Sequence, residues 1–413
     1  MSSDKRKWIH AYKNGVAPSH VPPRLCVGRH HEVEAIRAGL AATKTGSGSV
    51  RWICGAYGTG KTFLLNVLRD VALEEDFVVA TLRVDRSFRL NNLEQLYYQI
   101  MHNLHVKTVQ DRKCSFDDLF NIWIENLQNS PMKSQASAEI SKVINELNHY
   151  HNAFSRAFLS YIRARIGEDR SASDVIGAWL SGEKNIPAHV KKQFDMIGQV
   201  DRVNMLDFMR AFSRLVVLLG YSGLAIFVDE MDVMLTERKD IRMSGYTNIR
   251  ELIDMTATGE LENTFFVMSA TPDVLTDEER GFPTYQALSQ RLGQAMDPGR
   301  SSMGDLKQPV LHLKPLGIDA FGDFTHAFVE EYRQAFPLQL RITPESLKNW
   351  VLLTYHKEGV DLTTLTIRSF STKLLEILDI IQQNPDNNIF RSELYAYPGP
   401  GGMVFKSKPI ASS

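Results

Sequence analysis

An eight-residue segment, Gly55-Ala-Tyr-Gly-Thr-Gly-Lys-Thr62, fits the pattern G-x-x-x-x-G-K-[ST] and limits the fold of this chain more than any other feature. Its glycines let backbone N–H groups turn inward around phosphate oxygens. A helix starting at the loop aims its positive end at the same anion. Such a loop needs a strand before it and a helix after it, and both are predicted. Val50 to Cys54 is a short apolar run, and Phe63, Leu64, Val67 and Leu68 share one face of a helix from Thr62 to Leu73. The expected ligand is a nucleoside triphosphate with Mg²⁺, ATP above all. Lys61 is expected to reach its β- and γ-phosphates, and the Thr62 hydroxyl to ligate the metal. The binding set therefore comprises Gly55, Ala56, Tyr57, Gly58, Thr59, Gly60, Lys61 and Thr62, with Phe63 next in the chain.

A second segment points the same way. Leu224-Ala-Ile-Phe-Val-Asp-Glu230 is an apolar strand ending in two acids. At a strand end beside a phosphate loop, Asp229 can hold magnesium through water, and Glu230 can polarise an attacking water as general base. The pair favours hydrolysis over nucleotide storage. Asp232 reads as a helix-start charge.

The remaining pattern alternates strands with helices, which predicts a parallel sheet covered on both faces. Further strands are expected at Phe77–Val84, Thr264–Ser269 and Val310–Leu313, and a helix over Gly28–Ala42. From about Asn91 to Leu218 the periodicity is helical, with stripes such as Leu93, Leu96, Ile100 and Leu104. From Ile318 to near Gln383 it is helical again. Residues 1–24 are basic and proline-bearing and read as an arm. The stretch from Asn384 onward is rich in Pro, Gly, Asn and Ser and reads as loop.

The balance of 47 basic against 48 acidic residues argues against a surface that traps nucleic acid everywhere, but leaves room for a local basic face. The arm (Lys5, Arg6, Lys7 and Lys13, with Trp8 and Tyr12 interleaved) and the looser group Lys184, Lys191 and Lys192 are the candidates, each with a solvated surface as the commoner alternative. Three scattered cysteines suggest neither a disulfide framework nor a zinc site. The most apolar stretch, Leu215 to Val228, is shorter than the roughly 20 residues of a membrane span and is broken by Gly220-Tyr-Ser222. A cytoplasmic protein is expected.

Together these residues resemble the AAA+ ATPases, especially the branch that includes origin-recognition initiators. Val27-Gly28-Arg29-His-His-Glu32 looks like the GRxxE box that wraps the adenine, which brings Val27, Gly28 and Arg29 into the nucleotide set. The strand ending in Ser269-Ala-Thr271 sits where the family carries sensor 1. Ser269 and Thr271 both qualify, and the sequence does not choose between them. Tyr285 to Leu292 resembles the segment that carries an arginine finger to a neighbouring subunit, with Arg291 as candidate and Arg280 and Arg300 as rivals. Val310 to Leu316 looks like the strand and PL turn before the helical lid, and Thr366-Ile-Arg368 resembles sensor 2. The implied layout is an arm at 1–24, an AAA+ core at 25–317 with a helical insertion at about 107–205, a lid at 318–385 and a tail at 386–413.

The insertion narrows the resemblance. Ala178-Trp-Leu-Ser-Gly-Glu183, the Gly220-Tyr-Ser-Gly-Leu entry to the acidic strand and the Ala287-Leu-Ser-Gln-Arg-Leu292 segment look like the BREX-system ATP-binding family of BrxD type. That resemblance implies a bacterial anti-phage defence protein working with other BREX components, a helicase among them, and self-association through the nucleotide site. Trp179 and Leu180 are expected to anchor the insertion by packing, with Gly182 ending a helix. Two functions compete: an ATP-hydrolysing motor or switch, and an ATP-gated DNA-binding module of initiator type with little turnover. A winged-helix domain after the lid would favour the second, and residues 384–413 are too few for one. A small-substrate kinase fits poorly, since no second phosphate motif is present.

Overall fold

The structure is a computed structural model that describes residues 9–14, 22–109, 112–128, 133–296, 307–336 and 343–384. The chain divides into two compact units. One contains Glu32–Cys54 and Leu68–His312, and the other Met1–His31, Gly55–Val67 and Leu313–Ser413.

The first unit is built on a six-stranded sheet: β1 (Ser49–Cys54), β2 (Val78–Arg83), β3 (Leu104–His105), β4 (Leu224–Asp229), β5 (Thr264–Ala270) and β6 (Val310–His312). The strand order is β3-β2-β4-β5-β1-β6. Every pairing is parallel except β2 with β3. All of β5, and β4 up to Val228, are buried. Both faces are therefore covered, which is why these segments are continuous apolar runs rather than alternating ones. The predicted strands are recovered to within a residue or two. The two-residue β3 was not predicted, since so short a segment carries no periodicity. The parallel register sets Arg83 beside Asp229 and Cys54 beside Ala270, so the carboxyl ends of β1, β2, β4 and β5 share one edge.

Crossovers and insertions supply the helices: α1 (His30–Lys44), α2 (Lys61–Glu74), α3 (Leu93–Met101), α4 (Phe116–Gln128), α5 (Lys133–Asn148), α6 (Asn152–Ile166), α7 (Arg170–Leu180), α8 (Ala188–Gln193), α9 (Met205–Leu218), α10 (Lys239–Thr258), α11 (Pro272–Thr276) and α12 (Gln286–Leu292). The insertion does not form a core of its own. Phe120, Phe158, Tyr161, Trp179 and Phe208 belong to the same hydrophobic cluster as β2, β4 and β5. Within it Trp179 meets Phe208 edge-on with centroids 5.5 Å apart. Its indole N–H donates to the Gly198 carbonyl at 3.2 Å. Helix α7 stops at Leu180, whose carbonyl accepts from the Tyr97 hydroxyl at 2.7 Å. Gly182 then takes φ +91°, a left-handed turn that any side chain would strain. Glu183 accepts from the Tyr98 hydroxyl at 3.0 Å. The Trp179–Glu183 element is thus a packing joint onto α3.

The second unit holds α13 (Ile318–Ala335), α14 (Pro344–Lys357) and α15 (Ile367–Gln383) around a core of Phe321, Phe324, Phe328, Tyr332, Phe370 and Leu374. Here the reading of residues 1–24 as a basic arm needs correction in its described part. Residues 9–13 are helical, Ile9 and Tyr12 are buried, and Tyr12 packs edge-on against Phe328 at 5.4 Å. Two apolar residues three apart on a helix make a buried stripe, which the surrounding charge obscures in the sequence. Lys13 pairs with Asp379 at 2.8 Å. Lys5, Arg6, Lys7, Trp8 and the tail from residue 385 lie outside the described residues. No helix among the described residues is long and apolar enough to cross a membrane, and no disulfide joins the three cysteines.

Candidate functional site

Two candidate segments, the glycine-rich loop and the acidic strand end, each follow directly on a parallel strand. Cys54 ends β1, and the glycine-rich loop follows directly. Gly58 and Gly60 adopt φ of +83° and +93°, conformations open to glycine and strained for other residues. A Cβ on Gly58 would also come within 2.9 Å of the Thr366 methyl group. Helix α2 starts at Lys61, so the N–H groups of its first turn follow directly on the loop. The Lys61 ammonium lies across the loop, donating to the carbonyls of Gly55 at 2.8 Å and Ala56 at 3.2 Å. The Thr59 hydroxyl donates to Ala56 at 2.8 Å.

The box at Val27–Arg29 joins this loop from far away in the sequence. Gly28 is left-handed at φ +66°, and a Cβ there would meet Leu316 of the PL turn at 2.9 Å. Arg29 is buried and donates to the Lys314 carbonyl at 2.9 Å and to Thr59 at 3.3 Å. Val27 and Phe63 pack on the helical core of the same unit. Arg368 stands in the first turn of α15. It donates to the Tyr57 hydroxyl at 2.7 Å, with its guanidinium carbon 4.9 Å from the centre of the Tyr57 ring. Residues 27–29, 55–63 and 368, chosen from three separate motifs, thus gather in one unit.

The acidic strand belongs to the sheet unit. The Asp229 carboxylate accepts from the Ser269 hydroxyl and from the Glu230 amide at 2.9 Å. That amide also lies 3.3 Å from the Ser269 hydroxyl. Of the two sensor candidates, Ser269 is the one joined to Asp229. Thr271 sits at the start of α11 and makes no side-chain capping bond. Glu230 is left-handed, at φ 62° and ψ 40°, a conformation that costs a non-glycine residue roughly 1–2 kcal/mol. It turns the chain sharply as it leaves β4. The Glu230 carboxylate lies 3.3 Å from the guanidinium of Arg83, whose side chain is 72% exposed. No motif singled out Arg83. The only sign in the sequence is a charge closing the apolar run of β2, and it takes the β2–β4 register to bring it beside the acids.

Arg291, the candidate finger, lies on α12 and is held within its own chain. Its guanidinium makes a two-pronged pair with Asp254 of α10, at 2.7 and 2.9 Å, and donates to Ala287 at 2.9 Å. Arg291 holds the Asp254 carboxyl below the usual carboxylate range, and Arg250 stands 3.7 Å from the same acid. Arg280 donates to the Leu235 carbonyl at 3.0 Å, and Arg300 lies outside the described residues. Of the looser basic group, Lys184 is paired with Glu94.

With this geometry in place, comparison with known families gives a match over residues 2–395 to the BREX system ATP-binding protein BrxC/D. The chain belongs to this family. A search of curated proteins found no match. As a BrxC/D-family protein the chain binds ATP within the BREX system, and its glycine-rich loop has the donors such a ligand needs. Neither Lys61 nor Arg368 has a carboxylate within ion-pair distance among the described residues; Lys61 donates to two carbonyls and Arg368 to the Tyr57 hydroxyl. Among the described residues no cluster of three or more His, Cys, Asp or Glu could cage a metal. A hydroxyl such as that of Thr62 and a carboxylate such as that of Asp229 are each the kind of oxygen donor that Mg²⁺ accepts, an ion that takes few protein ligands and completes its shell with phosphate oxygens and water.

Proposed function

We propose that this BrxC/D-family protein hydrolyses ATP and serves as a motor or switch subunit of BREX anti-phage defence. The observation that carries the reading is the Asp229–Glu230–Ser269 arrangement at the carboxyl end of β4. Asp229 is fixed by two donors, so its orientation is set before any ligand binds. Glu230 follows it in a left-handed conformation that turns the chain sharply, and its carboxylate is the group that would act on water as general base. Lys61 and the loop amides would bind the phosphates, and Thr62 and Asp229 would hold Mg²⁺, which when bound supplies charge neutralisation at the β- and γ-phosphates. Ser269 would serve Asp229, leaving Thr271 as the polar group at the strand exit that senses the terminal phosphate. Arg368 would close on that phosphate from the helical lid.

Self-association through the nucleotide site is part of the proposal, with Arg291 as the finger. An arginine finger acts on the nucleotide of the next subunit, and the pair with Asp254 keeps Arg291 ordered and charged while it waits. Arg291→Ala should leave ATP affinity within about twofold and lower turnover by about a hundredfold, the cost of losing one preorganised donor. The loss should be confined to protein concentrations at which the chain assembles. ATPase rates measured against concentration, beside mass in solution, check this. Unchanged turnover in the assembled variant would remove Arg291 from the role.

The second reading, an ATP-gated DNA-binding module with little turnover, draws on one observation. The Glu230 carboxylate is paired with the Arg83 guanidinium at 3.3 Å, which engages the group proposed as base. ATPase assays with and without DNA separate the two readings, since the module reading expects ATP binding without phosphate release under both conditions.

A further inference from the structure

We propose that Tyr57 is the positioning residue for Arg368 and thereby sets the preference of the loop for a nucleoside triphosphate over a diphosphate. The inference rests on the reading of Gly55–Thr62 and Arg368 as an ATP site and gives a role to a position that the loop pattern leaves variable.

Tyr57 occupies one of the freely variable positions of the loop pattern, and its side chain is 73% exposed. A large ring left so open contributes little to folding. Its described contact is with Arg368, through both ends of its chemistry: the hydroxyl accepts the guanidinium hydrogen bond at 2.7 Å, and the ring face lies under the cation at 4.9 Å.

Arg368 needs such a holder. It stands in the first turn of α15, where the helix dipole opposes a positive charge. Among the described residues no carboxylate pairs with it. The Thr366 hydroxyl, which could have turned toward it, instead caps α15 by accepting from the Ser369 amide at 3.2 Å. An arginine with four rotatable bonds and no acidic partner would otherwise sample many rotamers in solvent.

The same turn of α15 lies along the loop. Thr366 closes on Gly58, and the Ile367 methyl would be 3.6 Å from a Cβ on Gly60. Holding Arg368 over Tyr57 therefore keeps a cation against the glycine-rich loop, in addition to Lys61 on the loop itself. A cation held there is served best by the most highly charged anion. A γ-phosphate reached by Arg368 is what separates ATP from ADP. Tyr57 prepays the ordering of the arginine, so the contact adds to ATP affinity and leaves ADP affinity nearly untouched.

The test measures ATP and ADP dissociation constants for wild type, Tyr57→Ala, Tyr57→Phe, Arg368→Ala and the Tyr57→Ala/Arg368→Ala double variant, with Lys61→Ala as control. Tyr57→Ala should lower the ATP-over-ADP preference about tenfold, the scale of a hydrogen bond to a charged group. Tyr57→Phe, which keeps the ring, should lose less. In the Arg368→Ala background, Tyr57→Ala should have no further effect. A preference unchanged in Tyr57→Ala, or losses that add in the double variant, would overturn the inference. If wild type and Lys61→Ala bind ATP equally, the site reading itself fails, and the two failures are told apart by that control.

Discussion

Glu230→Gln should bind ATP as tightly as the wild type and turn it over about a thousandfold more slowly, within the range lost when a general base is removed. The substitution keeps the length and shape of the side chain. Its amide preserves the left-handed backbone and the two bonds from the Glu230 N–H to Asp229 and Ser269, because these are main-chain interactions. The Arg83 contact persists through the amide oxygen in weakened, uncharged form. What disappears is the capacity to accept a proton from water. Nucleotide affinity by fluorescence titration and turnover by phosphate release separate the two effects. A variant that loses affinity and turnover together would mean that Glu230 holds the ligand and does not activate water.

Trp179→Ala should destabilise the protein by about 3–5 kcal/mol, the usual cost of emptying a buried indole. Trp179 is 1% exposed, stacks edge-on with Phe208 and donates to the Gly198 carbonyl. Truncation leaves a cavity among aromatic neighbours too rigid to collapse and strips the Gly198 carbonyl of its donor. The joint with α3 around Leu180 and Glu183 should loosen as a consequence. Urea unfolding followed by circular dichroism reads the shift in midpoint. A stable Trp179→Ala variant that has lost ATPase activity would contradict the packing account and give this element a role in the chemistry.

Legibility in the sequence followed the range of the forces involved. Strands β1, β4 and β5 were readable because a strand buried on both faces must be apolar along its length, and Leu224–Val228 and Thr264–Ala270 are. The loop was readable because its glycines answer to local backbone geometry. Helix α10 gave no clear stripe. The buried face of its first half carries Arg242, Gly245, Tyr246 and Asn248, with Asn248 satisfied by the Leu90 carbonyl at 2.7 Å, and only its second half adds Ile249, Leu252 and Met255. The partners Arg83 and Asp254, and the pairing of Tyr57 with Arg368, escaped notice for a related reason. Each matters through a residue between 37 and 311 positions away, and no local pattern records such a pairing. The helical turn at residues 9–13 was hidden by the basic residues around it. Membership of the BrxC/D family was legible in the insertion, whose tryptophan joint is a packing feature.

The central proposal is that Gly55–Thr62 binds ATP and that Asp229 and Glu230 serve its hydrolysis. Phosphate release from ATP and Mg²⁺ by wild type and Lys61→Ala, each with and without DNA, beside ATP binding by both proteins, tests it most directly. The account predicts that wild type binds ATP and releases phosphate in at least one of these conditions. Lys61→Ala should bind at least about a hundredfold more weakly and release none, since its ammonium is the loop's own counter-charge to the β- and γ-phosphates. Wild type that binds ATP firmly and releases no phosphate in any condition would contradict the account and leave the protein a nucleotide-gated switch.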